Sequence, residues 1–250
     1  MTLLVSDIRG FRQLFSRLGP SAIFQRVNNY LSQIGPAVRS NGGFIDLYIC
    51  DSLMAIFPRS PKDAVRAAVA MRAALSQYND ELSAAGEERI EAGIAIHTGD
   101  LMLGTVGETL RMDRTIISDA VELAFKLETQ TKLFGAQVIV SGTVVEGLKQ
   151  ADEDEYTIRY LGTGQFRPED SPVPMYELIL PDGSQATARK AELRGRFERA
   201  VFMYDSGDYE NAYAAFLELG RDLPEDPAWK VFIDKTLAAR GYHAGQGPVS

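Results

Sequence analysis

The chain has 250 residues, 45% hydrophobic and 24% charged, which is typical of a globular protein with one large domain and an appendage. Its net charge of −8 excludes non-specific binding to nucleic acid or to an anionic membrane surface. The single cysteine, Cys50, excludes an internal disulfide and is typical of a reducing compartment. Because no apolar run reaches about 18 residues, no membrane insertion is predicted. We expect a cytoplasmic protein, or the cytosolic part of a larger membrane-attached receptor.

The first third of the chain alternates between strand and helix patterns. Residues 2–6 form an apolar run typical of a buried strand. From Phe11 the apolar residues follow a helical period, which is interrupted at Gly19-Pro20. The turn residues Asn41-Gly42-Gly43 then predict a hairpin with strands at 44–49 and 52–57.

The next part of the chain begins with an alanine-rich helix, predicted over residues 63–82 with its N-cap near Ser60. Residues 90–96 and 101–106 are predicted to be paired strands, and a second long helix is predicted over residues 119–133. Three further strands are predicted at 138–140, 157–160 and 173–178. The order β-α-β-β-α-β predicts an α+β, ferredoxin-like sandwich with helices on one face of a mainly antiparallel sheet.

A boundary is predicted at residues 181–184, where proline, glycine and polar residues cluster. We therefore expect a main domain over 1–180, a helical hairpin over 188–240 and a disordered tail over 241–250. The hairpin is similar to a tetratricopeptide repeat, with small residues at Ala200 and Ala212 where helices cross. One repeat cannot bury its own face, so we expect it to dock on the main domain, a partner or a third helix over 228–239. A recognition module and a simple helical tail both stay open.

Two aspartates end apolar, strand-like runs. Asp7 follows the first strand, and Asp51 lies at the turn of the hairpin. Paired carboxylates on rigid strands suit a hard cation such as Mg²⁺ or Mn²⁺ that also carries phosphates. The backbone amides that follow Asp7, at Gly10 and Phe11, begin the next helix and can receive phosphate oxygens. These features predict a phosphoryl-transfer site.

Four motifs occur in one order and spacing, and together they resemble the class III adenylate/guanylate cyclase domain. They are residues 6–11 (SDIRGF), 44–57, 93–99 and 111–128. The segments 101–108 (LMLGTVGE) and 117–121 (ISDAV) are similar to those of a bacterial branch of that family. The resemblance extends from about residue 2 to residue 178 and so covers most of the chain.

The resemblance implies an enzyme that joins the ribose 3′-hydroxyl of ATP or GTP to the α-phosphate, giving a cyclic nucleotide and pyrophosphate. It also implies a head-to-tail homodimer, or a heterodimer with another cyclase domain, whose active sites lie between protomers. One protomer supplies the metal ligands, which fall on Asp7, Asp51 and the backbone carbonyl of Ile8. The metal, Mg²⁺ or Mn²⁺, is expected to arrive with the nucleotide.

The other half of the implied site departs from the family pattern. The purine-selecting lysine falls on Leu47, and the glycine before the second metal aspartate falls on Cys50. The catalytic pair is altered as well, since the ribose-orienting asparagine falls on Glu122 and the transition-state arginine on Lys126. Glu122 and Lys126 are spaced i,i+4, so they can neutralise each other on a helix.

Three more positions belong to the implied nucleotide site. Arg167 and Glu169 replace the two lysines of a late VKGK element, and Thr115 occupies a second base-contacting position. Elsewhere, His97 lies in an alternating strand and is interpreted as a core or interface residue, and Trp229 is expected to pack among the C-terminal helices.

These departures leave three hypotheses about function. The first is a degenerate cyclase domain that dimerises and regulates signalling with weak or no cyclisation as a homodimer. The second is a half-site contributor, whose Asp7 and Asp51 complete a site with a competent partner. The third is a slow but active cyclase in which Lys126 and Arg167 replace the missing contacts. The loss of one preorganised electrostatic contact typically costs on the order of 10²–10³ in turnover, which favours the first hypothesis.

Overall fold

A computed structural model describes residues 1–108, 111–149, 156–166 and 171–241. The fold combines a large mixed sheet with helices. The strands are β1 Thr2–Ile8, β2 Phe44–Ile49, β3 Ser52–Phe57, β4 Ala92–Thr98, β5 Met102–Glu108, β6 Arg111–Ile117, β7 Val138–Ser141, β8 Thr157–Gly164 and β9 Val173–Ile179. The helices are α1 Phe11–Arg17, α2 Pro20–Ser40, α3 Pro61–Ala84, α4 Asp119–Phe134, α5 Gly142–Lys149, α6 Gln185–Asp205, α7 Tyr209–Asp222 and α8 Ala228–Ala239.

Seven strands form the main sheet, in the order β2-β3-β1-β4-β7-β9-β8. All neighbours are antiparallel except β4 and β7, which run parallel. Strand β1 lies between β3 and β4, and its register places Asp7 opposite Gly93. The α+β class predicted from the sequence is confirmed.

Helices cover both faces of the sheet, so the prediction that they share one face is wrong. Leu4 and its neighbours in register pack with α2 and α3, whereas Leu3 and Val5 pack against α4. Successive side chains of a strand point to opposite faces, and β1 is apolar on both. A strand with two apolar faces needs a helix layer on each side, which sequence order alone does not specify.

The predicted pairing of residues 90–96 with 101–106 is also wrong. Strand β5 pairs instead with β6, forming a separate two-stranded hairpin. Both edges of β4 are already hydrogen-bonded, to β1 and to β7, so β4 has no edge left for β5. The sequence analysis treated residues 111–117 as a motif and not as a strand, and it also missed the short helix α5.

The C-terminal helical unit, defined as α6, α7 and α8, packs on the same side of the sheet as α4. Phe216 and Phe232 stack with ring centroids 4.7 Å apart, and Phe232 lies 6.2 Å from Phe134 of α4. The buried Arg159 of β8 forms an ion pair of 2.5 Å with Asp226, which precedes α8. The helices predicted after the sheet are therefore confirmed, including the third helix expected over 228–239. Together they dock on the main domain.

The exact limits of the domains and the likeness to a tetratricopeptide repeat stay predictions. Of the expected disordered tail, residues 242–250 lie outside the described residues. Within the described ranges, none of the helices combines the length and apolar character needed to cross a bilayer. Trp229 packs against Gly220 of α7, as expected for a residue among the C-terminal helices.

Candidate active site

The structure brings Asp7 and Asp51 together, although 43 residues separate them in sequence. Asp7 lies near the end of β1, and Asp51 lies in the turn between β2 and β3. The antiparallel pairing of β3 with β1 places that turn beside Asp7. The charge of Asp7 acts on the Asp51 carboxyl group, and Ser52 Oγ donates a hydrogen bond to Asp7 Oδ1 at 2.5 Å.

Electrostatics of this pair fit a cation site. Burial, followed by the charge of Asp7, raises the pKa of Asp51 to about 6. Two carboxyl groups that repel each other at close range are an arrangement that a divalent cation relieves, because its positive charge offsets both. No cluster of three or more His, Cys, Asp or Glu side chains suitable for a metal exists among the described residues. A metal here would therefore need backbone or nucleotide oxygens, and the Ile8 carbonyl is the backbone candidate.

The chain beyond Asp7 turns directly into α1. Gly10 adopts the left-handed conformation, with φ of 68°, and precedes Phe11, the first residue of the helix. Gly10 is exposed, while Phe11 is partly buried against the core under α2 and α3. The backbone at this turn is therefore accessible next to the two aspartates.

Cys50 has the only positive φ among the described non-glycine residues, at 53°. The family pattern implied by the resemblance has a glycine here, and the geometry explains it, since an L side chain is strained in this region. Leu47 lies three residues earlier on β2, just after a register irregularity between Ile45 and Leu47. Its side chain is 43% exposed, and leucine offers neither a hydrogen bond nor a charge to a purine base.

Glu122 and Lys126 pair with each other on α4. Lys126 Nζ lies 2.7 Å from Glu122 Oε1, and it also donates to the Phe166 carbonyl at 3.4 Å. Both side chains line a cavity of about 290 Å³ that also includes His97 and Gly99. The ammonium group is therefore directed to a carboxylate of its own helix.

The two halves of the implied site lie apart within one chain. Glu128 faces Gly93, the strand partner of Asp7. Lys126, two residues before Glu128, points to nearly the opposite side of the helix, because each residue turns the helix by about 100°. The structure groups Asp7 with Asp51 and Glu122 with Lys126, but it does not bring the two pairs into one site.

The remaining predicted nucleotide-binding positions are only partly described. Thr115 lies on β6, opposite Gly104 of β5. Arg167 lies outside the described residues, as does Glu169. His97, which lines the cavity beside Glu122 and Lys126, is buried and its Nδ1 hydrogen-bonds with Ser141 Oγ at 2.9 Å, in agreement with a core role.

Two charged residues near the aspartates were missed by sequence reasoning. Burial and the charge of Asp7 raise the pKa of Glu128 to about 7. Arg9 donates from Nη2 to the carbonyl of Thr131, at 3.1 Å, and to that of Ala136. Its spacing from Lys126 gave no signal for Glu128, because two residues apart on a helix point to nearly opposite sides, and nothing in the sequence indicates that Arg9 reaches α4.

A family model described as the adenylate and guanylate cyclase catalytic domain matches residues 1–177. The chain belongs to this class III cyclase family. It is 38% identical over 184 residues to an adenylate cyclase of Anabaena cylindrica, a match that covers 71% of this chain and 36% of that protein. Across three curated cyclase relatives, the match spans only 11% to 36% of the relative's length.

Solved cyclase structures share the fold. The adenylyl cyclase CyaB of P. aeruginosa is 28% identical, with a TM-score of 0.62, and the match covers 72% of this chain and 93% of CyaB. The dimeric guanylyl cyclase domain of a fusion protein from Blastocladiella emersonii is 16% identical, with a TM-score of 0.55 and coverage of 71% and 94%. The first supports the family assignment, and the second shows the fold alone.

Proposed function

We propose that this chain is a degenerate class III cyclase domain, which pairs with a second cyclase domain in cyclic-nucleotide signalling and cyclises little or no nucleotide as a homodimer. The observation that carries the proposal is the Glu122–Lys126 ion pair. The positions implied to orient the ribose and to stabilise the transition state neutralise each other instead of meeting a triphosphate. A symmetric homodimer would repeat this defect at both of its sites.

The half of the site around the aspartates supports metal binding. Asp7 and Asp51 would supply two carboxylates to Mg²⁺ or Mn²⁺, and the Ile8 carbonyl would supply a backbone oxygen. When bound, such an ion lowers the pKa of a coordinated hydroxyl and offsets phosphate charge. Ser52 donates to Asp7 at 2.5 Å, which fixes the direction of its carboxylate. The backbone at Gly10 and Phe11 would face the phosphates.

The other half of the site lacks the contacts that turnover needs. Lysine at position 126 presents a point charge, whereas arginine makes planar, bidentate contacts with phosphate oxygens. Glu122 accepts hydrogen bonds and adds negative charge, so it cannot donate to a ribose oxygen as an amide does. Leu47 gives no polar contact to a base. Each lost preorganised contact typically lowers turnover by a factor on the order of 10²–10³, and the effects of several such losses can partly overlap.

Pairing with a second domain is supported by exposed apolar side chains on two elements. On β2 these are Phe44, Leu47, Tyr48 and Ile49, each between 37% and 49% exposed. On the β5–β6 hairpin the exposed apolar residues are Met102, Leu103, Val106, Met112 and Ile117. Exposed large apolar side chains that cluster on an element are a feature of surfaces that bind another protein. Since Asp7 and Lys126 face different directions within one chain, a complete site requires two chains.

A second candidate function is that of a half-site contributor in a heterodimer. The observation that favours it is the intact arrangement of Asp7, Asp51 and Ser52. A partner with its own asparagine and arginine would complete one site across the interface. The base that such a site would accept is not restricted by Leu47, so ATP and GTP are both candidate substrates.

The deciding experiment is a cyclase assay with ATP and GTP, in Mg²⁺ and in Mn²⁺. We expect no appreciable cyclisation by the unmodified chain, with at most a trace in Mn²⁺. The triple variant Glu122→Asn/Lys126→Arg/Leu47→Lys is expected to raise turnover by orders of magnitude. As a matched control, Glu192→Asn/Arg189→Lys alters another ion pair on a helix surface, with N–O separation of 2.7 Å, and should leave turnover unchanged.

The two candidate functions separate in a mixing experiment. An active homologue that lacks its own metal aspartates should regain one functional site when mixed with this chain, if the chain contributes a half-site. Robust cyclisation of ATP or GTP by the unmodified chain alone would refute the degenerate assignment. Failure of both the triple variant and the mixing experiment would leave a dimerisation module without a nucleotide role.

A further inference from the structure

We propose that Arg9 is a positioning residue for the metal site, because it holds the segment that carries Asp7 and Ile8 against the C-terminal end of α4. This inference rests on the proposed metal binding by Asp7 and Asp51. It adds a residue whose guanidinium binds carbonyls at the end of α4, so that it would act on the site through the backbone of its own segment.

The contacts of Arg9 join two segments that are far apart in sequence. Its backbone N–H donates to the Glu91 carbonyl at 2.8 Å, which continues the pairing of β1 beyond Ile8. Its Nη2 donates to the carbonyls of Thr131 and Ala136, at the last turn of α4 and just beyond it. The Thr131 carbonyl also accepts from the backbone N–H groups of Gly135 and Ala136 where the helix ends. Carbonyls at a helix C-terminus carry partial negative charge, so a guanidinium is well placed to bind them as a further donor.

Asp7 and α4 come close only because one residue has no side chain. A Cβ at Gly93 would lie 2.4 Å from Glu128 Oε1 and 2.2 Å from Thr131 Oγ1, both on α4. Gly93 is the strand partner of Asp7. Helix α4 therefore lies directly over the strand position opposite the metal aspartate, and any shift of α4 alters the space beside that aspartate.

The charges around Arg9 explain why this contact matters. The carboxylates of Glu91, Glu128 and Glu177 attract its guanidinium, while the like-charged Arg72 lies nearby. Without Arg9, the carboxyl group of Glu128 would face Asp7 and Asp51 with one fewer compensating charge. The repulsion would favour separation of α4 from the end of β1.

The same end of α4 is fixed from its other side by the C-terminal helical unit. Gly135, which ends α4 with φ of 61°, packs so closely on Pro227 that a Cβ would lie 2.3 Å from Pro227 Cγ. The residue before Pro227, Asp226, is held by the ion pair with Arg159. Arg9 thus completes a continuous set of contacts from the helical unit, through α4, to the metal aspartate.

The test is a titration of the full chain with Mn²⁺, followed by electron paramagnetic resonance, both alone and with 3′-deoxy-ATP, which cannot cyclise. Arg9→Lys keeps the charge and loses the planar fork, and Arg9→Met removes both. Loss of positioning predicts a Kd for Mn²⁺ about 10-fold higher in both variants, as is common when a residue behind a metal ligand is replaced. Arg12→Lys, at an exposed arginine on α1, is the control and should bind as the unmodified chain does.

The sign of the change separates positioning from simple charge. If Arg9 acted only as a nearby positive charge, Arg9→Met would bind Mn²⁺ more tightly, which would overturn the proposal, as would an unchanged Kd in Arg9→Lys. Thermal melts of each variant identify any loss of folding, and a lower melting temperature with an unchanged Kd would show a merely structural role and overturn it too. Equal Mn²⁺ binding by the unmodified chain and Asp51→Asn would instead refute the metal site itself.

Discussion

Lys126 Nζ lies 2.7 Å from Glu122 Oε1, one helical turn away on α4. The pair is only partly buried, with side-chain exposures of 28% and 44%, so it contributes little to stability. The pair matters because it holds the Lys126 ammonium group against Glu122, where the ammonium group is not available to a triphosphate.

Replacement of Glu122 by glutamine should separate these two roles. We expect the free energy of unfolding to change by less than about 1 kcal/mol, since exposed i,i+4 pairs contribute about 0.3–0.5 kcal/mol. Affinity for a nucleoside triphosphate should rise several-fold, because one negative charge is removed and Lys126 is released. Urea denaturation and titration with a fluorescent ATP analogue measure the two quantities. A loss of affinity would contradict the assignment of Glu122 to the nucleotide side of the site.

Cys50→Gly should stabilise the turn next to Asp51. The backbone at Cys50 has φ of 53°, a region that costs a residue with a Cβ on the order of 1 kcal/mol relative to glycine. We therefore expect the free energy of unfolding to rise by about 0.5–1 kcal/mol, less the entropy that glycine adds to the unfolded chain. Cys50→Ser, which keeps the Cβ, is the matched control and should give no gain. Equal effects of the two substitutions would show that the thiol, and not the backbone, limits stability.

His97 should make the protein less stable in acid. Burial lowers the pKa of His97 from 6.5 to about 4, so the folded protein binds fewer protons than the unfolded chain between these values. The contribution of His97 is therefore fully present above about pH 6.5 and decreases as the pH falls towards 4, by on the order of 3 kcal/mol.

The measurement for His97 is the difference in free energy of unfolding between the unmodified chain and His97→Gln, from pH 7.5 to pH 4. The difference isolates His97 from Asp51 and Glu128, whose raised pKa values act in the opposite direction by favouring the folded state in acid. The difference should shrink as the pH falls through this range. A constant difference would mean that folding does not shift the pKa of His97.

The ion pairs of Arg159 should hold the C-terminal helical unit in place. Arg159 is 1% exposed and pairs with Glu177 and Asp226, each at 2.5 Å, while Lys190 lies 3.0 Å from Glu177. Arg159→Met would leave buried carboxylates with less compensation, which typically costs about 3–5 kcal/mol. The comparison variant is Arg196→Met, which breaks an ion pair of 2.5 Å with Asp222. Because the Arg196 side chain is 40% exposed, we expect the free energy of unfolding to fall by less than about 1 kcal/mol.

Limited proteolysis together with calorimetry would measure the effect at Arg159. We expect early cleavage in the segment that joins β9 to α6 and a lower melting temperature for Arg159→Met alone. Similar behaviour of the two variants would show that aromatic packing around Phe232, and not the buried charges, holds the unit.

Much of the local structure is determined by the sequence itself. The apolar run before Asp7, the turn at 41–43 and the capped start of α3 at Ser60 follow from residues within a few positions of each other. The i,i+4 spacing of Glu122 and Lys126 likewise sets their contact once α4 forms. The strain at Cys50 was visible as a side chain in a position where the resembled family has glycine.

Only the tertiary structure decides which of these local elements meet. The pairing of β3 with β1 brings Asp51 to Asp7, and the occupied edges of β4 send β5 to β6. The reach of Arg9 to the end of α4 crosses more than 120 residues of sequence. Such contacts depend on strand register and on the face that each helix covers, and both are set by burial of the whole core and not by neighbouring residues.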